Sequence, residues 1–164
     1  MPNHRVAASR RIIAKEGARA FYEGESAKKI LAFSEKNGGY FSLRDFAEHK
    51  SEWTEPVSTN YRGYDVWELP PNGQGIAALE MLNILEQHDL RTLGHNTPEH
   101  LHLFVEAKKL AFADRAKFYA DPAFGELPVN ELISKEYAKK QNARIDLHKA
   151  AEDVPAGEPK LTRG

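Results

Sequence analysis

The spacing of apolar residues divides the chain into helices arranged around one β-hairpin. Val6 to Lys15 predicts a helix closed by Gly17. Phe21-Tyr22-Glu23-Gly24 predicts a turn that buries two aromatic rings. Glu25 to Lys36 predicts a second helix: Ala27, Ile30, Leu31 and Phe33 recur at helical spacing, and Asn37-Gly38-Gly39 stops it. Ser42-Leu43-Arg44-Asp45 has the form of a capping box, opening a short helix through Phe46 to His49.

The pattern changes at Pro56. Pro56 to Tyr61 and Tyr64 to Leu69 are extended runs joined by Arg62-Gly63, with Gly63 free to take positive φ. The Trp67 and Leu69 side of the second run is the more apolar, so it is the side expected to be buried. Pro70-Pro71 ends the strand, and Asn72-Gly73-Gln74-Gly75 turns the chain into an amphipathic helix from Ile76 to His88. Thr97-Pro98 opens the longest helix, Glu99 to Tyr119. Its apolar residues occupy most of its circumference, which predicts a centrally buried helix. Asp121-Pro122 ends it, and Ser134 to Arg144 predicts a last helix capped by Ser134. The chain turns polar at Asp146; Pro155, Gly157 and Pro159 then break any regular element, and an extended or mobile tail is expected to Gly164.

Composition narrows the function classes. The 164 residues carry 23 Lys plus Arg against 24 Asp plus Glu, a net charge of −1, which argues against nucleic acid as partner. No apolar run reaches the roughly 18 residues of a membrane span. The stretch from Pro2 to Lys15 lacks the apolar core of a signal peptide, which favours the cytoplasm as the expected compartment. With no Cys there is no disulfide framework, no Cys-based zinc site and no thiol nucleophile.

Few residues suggest chemistry. His100 and His102 are two apart, so on a helix they point about 200° from each other and cannot share an ion. His102 and Glu106 stand at i, i+4, with Asp114 two turns further. That row could hold a metal or a general base; the plainer reading is a polar stripe satisfied by neighbouring elements. Asn72 to Gly75 sits where a phosphate-binding turn would, but lacks its glycine spacing and its Lys-Ser/Thr ending. It reads as a tight turn, with an anion at the following helix N-terminus as the alternative. Asp114-Arg115 with Asp121 reads as ion pairing that locks the next loop. Tyr61, Arg62 and Tyr64 read as cross-strand packing rather than ligand stacking. No Gly-x-Ser-x-Gly elbow occurs. No catalytic, cofactor-binding or metal-ligating residue is assigned from these patterns.

Two blocks carry a family resemblance. One is Tyr61-Arg62-Gly63-Tyr64-Asp65-Val66, Pro70-Pro71, Gly73-Gln74-Gly75 and Leu82-Asn83-Ile84-Leu85-Glu86. The other runs from Glu106-Ala107-Lys108-Lys109 through Ala111-Phe112-Ala113-Asp114-Arg115 to Tyr119 and Asp121-Pro122. Together they resemble the γ-glutamyltranspeptidase family, over nearly the whole chain from about Arg10 onward. Where well-known members have Ser-Ser-Gly-Gly after the paired prolines, this chain has Asn72-Gly73-Gln74-Gly75, which is similar to the divergent amidohydrolase and acylase branch.

The resemblance implies an α+β fold: a mostly helical part of the four-layer αββα sandwich of N-terminal-nucleophile hydrolases, with about six helices and one hairpin. It implies residues 1–145 as the C-terminal part of a large subunit and 146–164 as the tail leading to an autocleavage site, just beyond Leu161-Thr162-Arg163-Gly164. The expected partners are the rest of the precursor, namely the upstream large-subunit half and a small subunit bearing a Thr nucleophile, together with a small-molecule amide substrate. Glutathione hydrolysis or γ-glutamyl transfer is the implied activity, with no cofactor, and this chain alone is expected to be inactive. The rival expectation is a non-catalytic helical interaction module. A sandwich segment without its neighbours leaves strand edges and apolar helix faces open, so the purified chain is expected to self-associate in sedimentation analysis; a monodisperse monomer with one cooperative melt would contradict that.

Overall fold

The structure, a computed structural model, describes residues 4–160; the Leu161 to Gly164 stretch lies outside them. The chain forms two compact units, Met1–Trp53 and Thr54–Gly164.

The first unit is helical. Helix α1 (His4–Glu16) ends at Gly17, whose φ of 77° puts it in the left-handed region while its N–H returns to the Ile13 carbonyl at 2.8 Å. Phe21 and Tyr22 lie in a one-turn helix, α2 (Arg19–Tyr22), rather than in the turn their sequence suggests. Gly24 then lets the chain pass close to α2, because a Cβ there would sit 2.3 Å from the Ala20 oxygen. Helix α3 (Glu25–Lys36) has the bounds the periodicity predicts. Helix α4 (Leu43–Ala47) starts with a complete capping box: the Ser42 N–H donates to Asp45 Oδ2 at 2.7 Å, and the Asp45 N–H donates to Ser42 Oγ at 3.4 Å.

The second unit is built around α5 (Gly75–Leu85). The antiparallel hairpin of β1 (Val57–Tyr61) and β2 (Tyr64–Glu68) pairs Val57 with Glu68 and Tyr61 with Tyr64. Arg62 (φ 53°) and Gly63 (φ 90°) both have positive φ, as a two-residue hairpin turn of matching twist requires. The hairpin lies on α5 by its Val57, Thr59 and Val66 side, and Trp67 and Leu69 point to solvent at 60% and 62% exposure. This reverses the expected face. Thr59 donates to Asn83 Oδ1 of α5 at 2.7 Å, and in this register that contact turns Val66 inward and Trp67 outward.

Beyond α5 come α6 (Leu90–Leu93), capped by Asp89, and α7 (Pro98–Phe118), capped by Thr97. A 3₁₀ turn (Pro122–Phe124), α8 (Val129–Leu132) and α9 (Lys135–Asn142) follow. The mostly helical α+β class is as expected; the additional helices are single turns such as α2, α6 and α8. Helix α7 is not buried all round. Leu103, Glu106, Ala107, Leu110, Ala111 and Asp114 form its one buried stripe, spaced three and four apart, whereas Leu101, Phe104 and Val105 stay exposed. The core joins Ile84 and Leu85 of α5 to Leu103, Ala107 and Leu110 of α7 and to Ala138 of α9.

Leu103 has no exposed surface. Leu103→Ala is expected to cost about 2–5 kcal/mol of stability in denaturant titration followed by far-UV circular dichroism; a loss under about 1 kcal/mol would place Leu103 outside the core.

Candidate functional site

The His102, Glu106 and Asp114 row is a polar stripe, half-buried at His102 and buried at Glu106 and Asp114, with protein partners on every member. His102 Nε2 lies 2.8 Å from the Asp146 carbonyl oxygen. Glu106 is paired with Lys109 on the next turn and accepts the Ala151 N–H at 3.4 Å, while Lys109 also donates to the Ala151 carbonyl at 2.6 Å. Asp114 accepts from the Tyr137 hydroxyl at 2.8 Å, from the Gln141 amide, and from the Gly157 N–H at 2.6 Å. Among the described residues, no three His, Asp or Glu side chains gather as a metal would need. Asp114 does not pair with Arg115, whose guanidinium instead lies over the Phe112 ring at 5.5 Å. Asp121 caps the 3₁₀ turn through the Ala123 N–H at 2.9 Å. The expected ion-pair lock is therefore replaced by a hydrogen-bonded anchor and a cap.

The stripe thus seats the chain after α9. Residues 146–160 form no regular element, yet they follow α7 in its own direction: Asp146 meets His102, Ala151 meets Glu106 and Lys109, and Gly157 meets Asp114. Arg144 adds a hydrogen bond to the Pro155 carbonyl at 2.5 Å, and Val154 packs on the core.

A third buried acid lies on α5. Glu80 is 3% exposed, and its Oε1 accepts the Tyr119 hydroxyl at 2.6 Å. Burial pushes its carboxyl up to about 8, the Asp114 carboxylate adds to the shift, and the Tyr119 hydrogen bond opposes it. Burial likewise pushes the Tyr119 and Tyr137 phenols up, so both remain donors. Sequence reasoning passed over Glu80; its signal was a carboxylate between Leu79 and Met81 on an otherwise apolar helix face.

Asn83 is a third junction. It accepts from Thr59 and from Lys135, each at 2.7 Å, and donates to the Ile133 carbonyl at 2.7 Å. Lys135 also pairs with Glu86, which accepts the Arg62 N–H at 2.8 Å and so holds the hairpin turn. Tyr61 carries Arg62 over its ring at 5.3 Å, in keeping with packing within the hairpin. The Asn72 to Gly75 segment is a strand-to-helix turn: a Cβ on Gly75 would lie 2.7 Å from the Leu69 oxygen, so glycine permits the close approach. Beside it, Pro70, Pro71, Pro122, Leu127 and Pro128 wall an open cleft of about 630 Å³ whose polar side chains are Glu126 and Asn130. These arrangements satisfy buried charge and join chain segments; they do not pair a nucleophile with a base.

The hairpin on α5, the acid stripe of α7 and the seated C-terminal segment form one connected arrangement, and comparison identifies its family. The family model for gamma-glutamyltranspeptidase matches residues 1–162, and the chain belongs to that family. It is 43% identical over 153 residues to the glutathione hydrolase-like YwrD proenzyme of Bacillus subtilis, covering 93% of this chain and 29% of that protein. It is 41% identical over 145 residues to the acylase ACY 1 proenzyme of a Pseudomonas species, covering 88% of this chain and 26% of the relative. The crystal structure of Helicobacter pylori gamma-glutamyltranspeptidase superposes with a TM-score of 0.73 at 32% identity, over 98% of this chain and 47% of that one. The chain therefore spans less than a third of these two curated relatives and about half of the solved chain.

Glu80 gives a pH prediction. Its carboxyl rises from an ordinary 4.5 to about 8 on folding, so the folded state holds the proton more tightly. Its favourable contribution is complete below about pH 4.5 and is lost as the pH rises through about 8. The stability difference between wild type and Glu80→Gln should therefore move against wild type by up to about 1.4 kcal/mol per pH unit within that window. Denaturant titrations of both proteins at pH 5 and pH 8 measure it, and parallel profiles would refute it.

Proposed function

We propose that this chain is the supporting segment of a γ-glutamyltranspeptidase-type amide hydrolase or acyltransferase. Residues 1–145 serve as the large-subunit part, and residues 146–164 lead toward a processing site. The family match across residues 1–162 carries this reading. Relatives named as glutathione hydrolase and acylase proenzymes support amide substrates, γ-glutamyl amides such as glutathione among them. In the reaction so inferred, a Thr hydroxyl outside this chain attacks the amide carbonyl and its proton passes to an amine base. The C–N bond breaks, the amine leaves with that proton, and water or a second amine takes the acyl group from the Thr ester. The buried polar groups of this chain do not touch the reacting atoms; they fix the framework on which the nucleophile-bearing part sits.

Incubating the purified chain with γ-glutamyl-p-nitroanilide is expected to release no p-nitroaniline above background, while the chain joined to the rest of its precursor releases it. Robust turnover by the chain alone would overturn this division of labour.

A further inference from the structure

The segment between Ala151 and Gly157 sits on α7 and α9 in a way that its sequence alone does not explain. At Gly157 the chain comes so close to α9 that a Cβ would lie 2.1 Å from the Tyr137 hydroxyl and 2.8 Å from Gln141 Nε2. A side chain here would have to displace the Tyr137 hydroxyl and the Gln141 amide, both of them buried. The Gly157 N–H enters this socket to reach Asp114 Oδ1, and Asp114 itself has no exposed surface. The Tyr137 hydroxyl and the Gln141 amide thus do two things at one point: they donate to the buried carboxylate, and they close in on the Gly157 backbone that supplies its third donor. Upstream the same strap is held at Ala151 by Lys109 and at Pro155 by Arg144.

We propose that Asp114 is a positioning residue that clamps the 151–157 strap and thereby aims the chain beyond Gly157 at the processing site. The proposal rests on the precursor reading given above. Its physical content is directional. A strap tied at Ala151, Pro155 and Gly157 fixes where the chain leaves α7 and α9, and a fixed point of departure lowers the cost of bringing a scissile bond to its attacking group. All three partners of Asp114 approach as donors. Asparagine replaces one of the two carboxylate oxygens with an NH2 group in the same space, so a donor there faces a donor.

The experiment uses the complete precursor as wild type, Asp114→Asn and Gly157→Ala, the last blocking the socket from the opposite side. Hydrogen exchange reads the Gly157 amide and, as a control, the α5 core; gel densitometry follows precursor cleavage; and kcat is measured on the fraction already cleaved. Both variants should exchange the amide at position 157 about tenfold or more faster, relative to the intrinsic rate of the residue there, the size that one hydrogen bond to a charged group carries. They should also cleave about tenfold or more slowly, with α5 protection and the kcat of cleaved enzyme unchanged. Protection retained at Gly157 in Asp114→Asn would overturn the clamp. A lost clamp with normal cleavage, or a matching fall in kcat and α5 protection, would overturn the positioning role. A wild-type precursor that never cleaves would refute the processing reading and the aiming role with it, while exchange at Gly157 would still decide the clamp.

Discussion

A carboxylate cannot be sealed inside a protein without donors, and Asp114 is fully sealed. Its solution joins three parts of the chain that lie far apart in sequence. Helix α7 supplies the acid, α9 supplies the Tyr137 hydroxyl and the Gln141 amide, and the strap supplies a backbone N–H at Gly157. If any of these were withdrawn, the others would face an under-satisfied charge, which costs more than a typical hydrogen bond contributes. Glu106 repeats the logic one stage earlier, with Lys109 binding both its carboxylate and the Ala151 carbonyl. The path of the C-terminal segment is thus dictated by acids that α7 buries, not by any preference of that segment for regular structure.

The same rule organises the other side of α5. Asn83 stands among apolar residues, and its amide is spent on three elements: β1 through Thr59, the end of α8 through Ile133, and α9 through Lys135. Lys135 passes the connection to Glu86, and Glu86 to the backbone of Arg62. That last bond, with the Arg62 guanidinium on the His88 carbonyl at 2.6 Å, holds a non-glycine residue at positive φ in the hairpin turn. Hairpin and helix are therefore registered by polar contacts as specific as the apolar core beneath them, which explains why the strand presents Val66 rather than Trp67 to α5.

Local signals in the sequence were sufficient for elements whose ends are chemically marked. Ser42, Thr97 and Ser134 each cap a helix as their positions suggest, and Gly17 ends one. Facing was not legible in the same way, because it depends on residues far along the chain. Trp67 makes its strand side the more apolar, but Thr59 and Asn83, 24 residues apart, decide which side packs. The His102, Glu106 and Asp114 row was visible as a stripe, yet its occupant lies 43 residues beyond Asp114, in a segment that reads as a featureless tail. Gly157 looked like a helix breaker; its role comes from the space that Tyr137 leaves. Family motifs marked these blocks as related before any contact was known, but they do not say which atoms a residue binds.

Helix α7 shows how the cost of exposure sorts a chain's contacts. Its buried acids are all met by groups of this chain, while Leu101, Phe104 and Val105 keep 44–49% of their surface in solvent. The asymmetry follows from magnitudes. Leaving part of an apolar side chain in water forfeits about 1 kcal/mol at about 25 cal/mol per Å², whereas an unpartnered buried charge costs several times that. A helix that carries both kinds of residue will therefore settle its charges with the nearest donors first and can leave its apolar faces for surfaces that arrive later. On the proposed precursor reading, this ordering makes the strap and the acid stripe one self-sufficient assembly, and leaves the open faces of α7 and of the hairpin as the parts that other layers of the sandwich would cover.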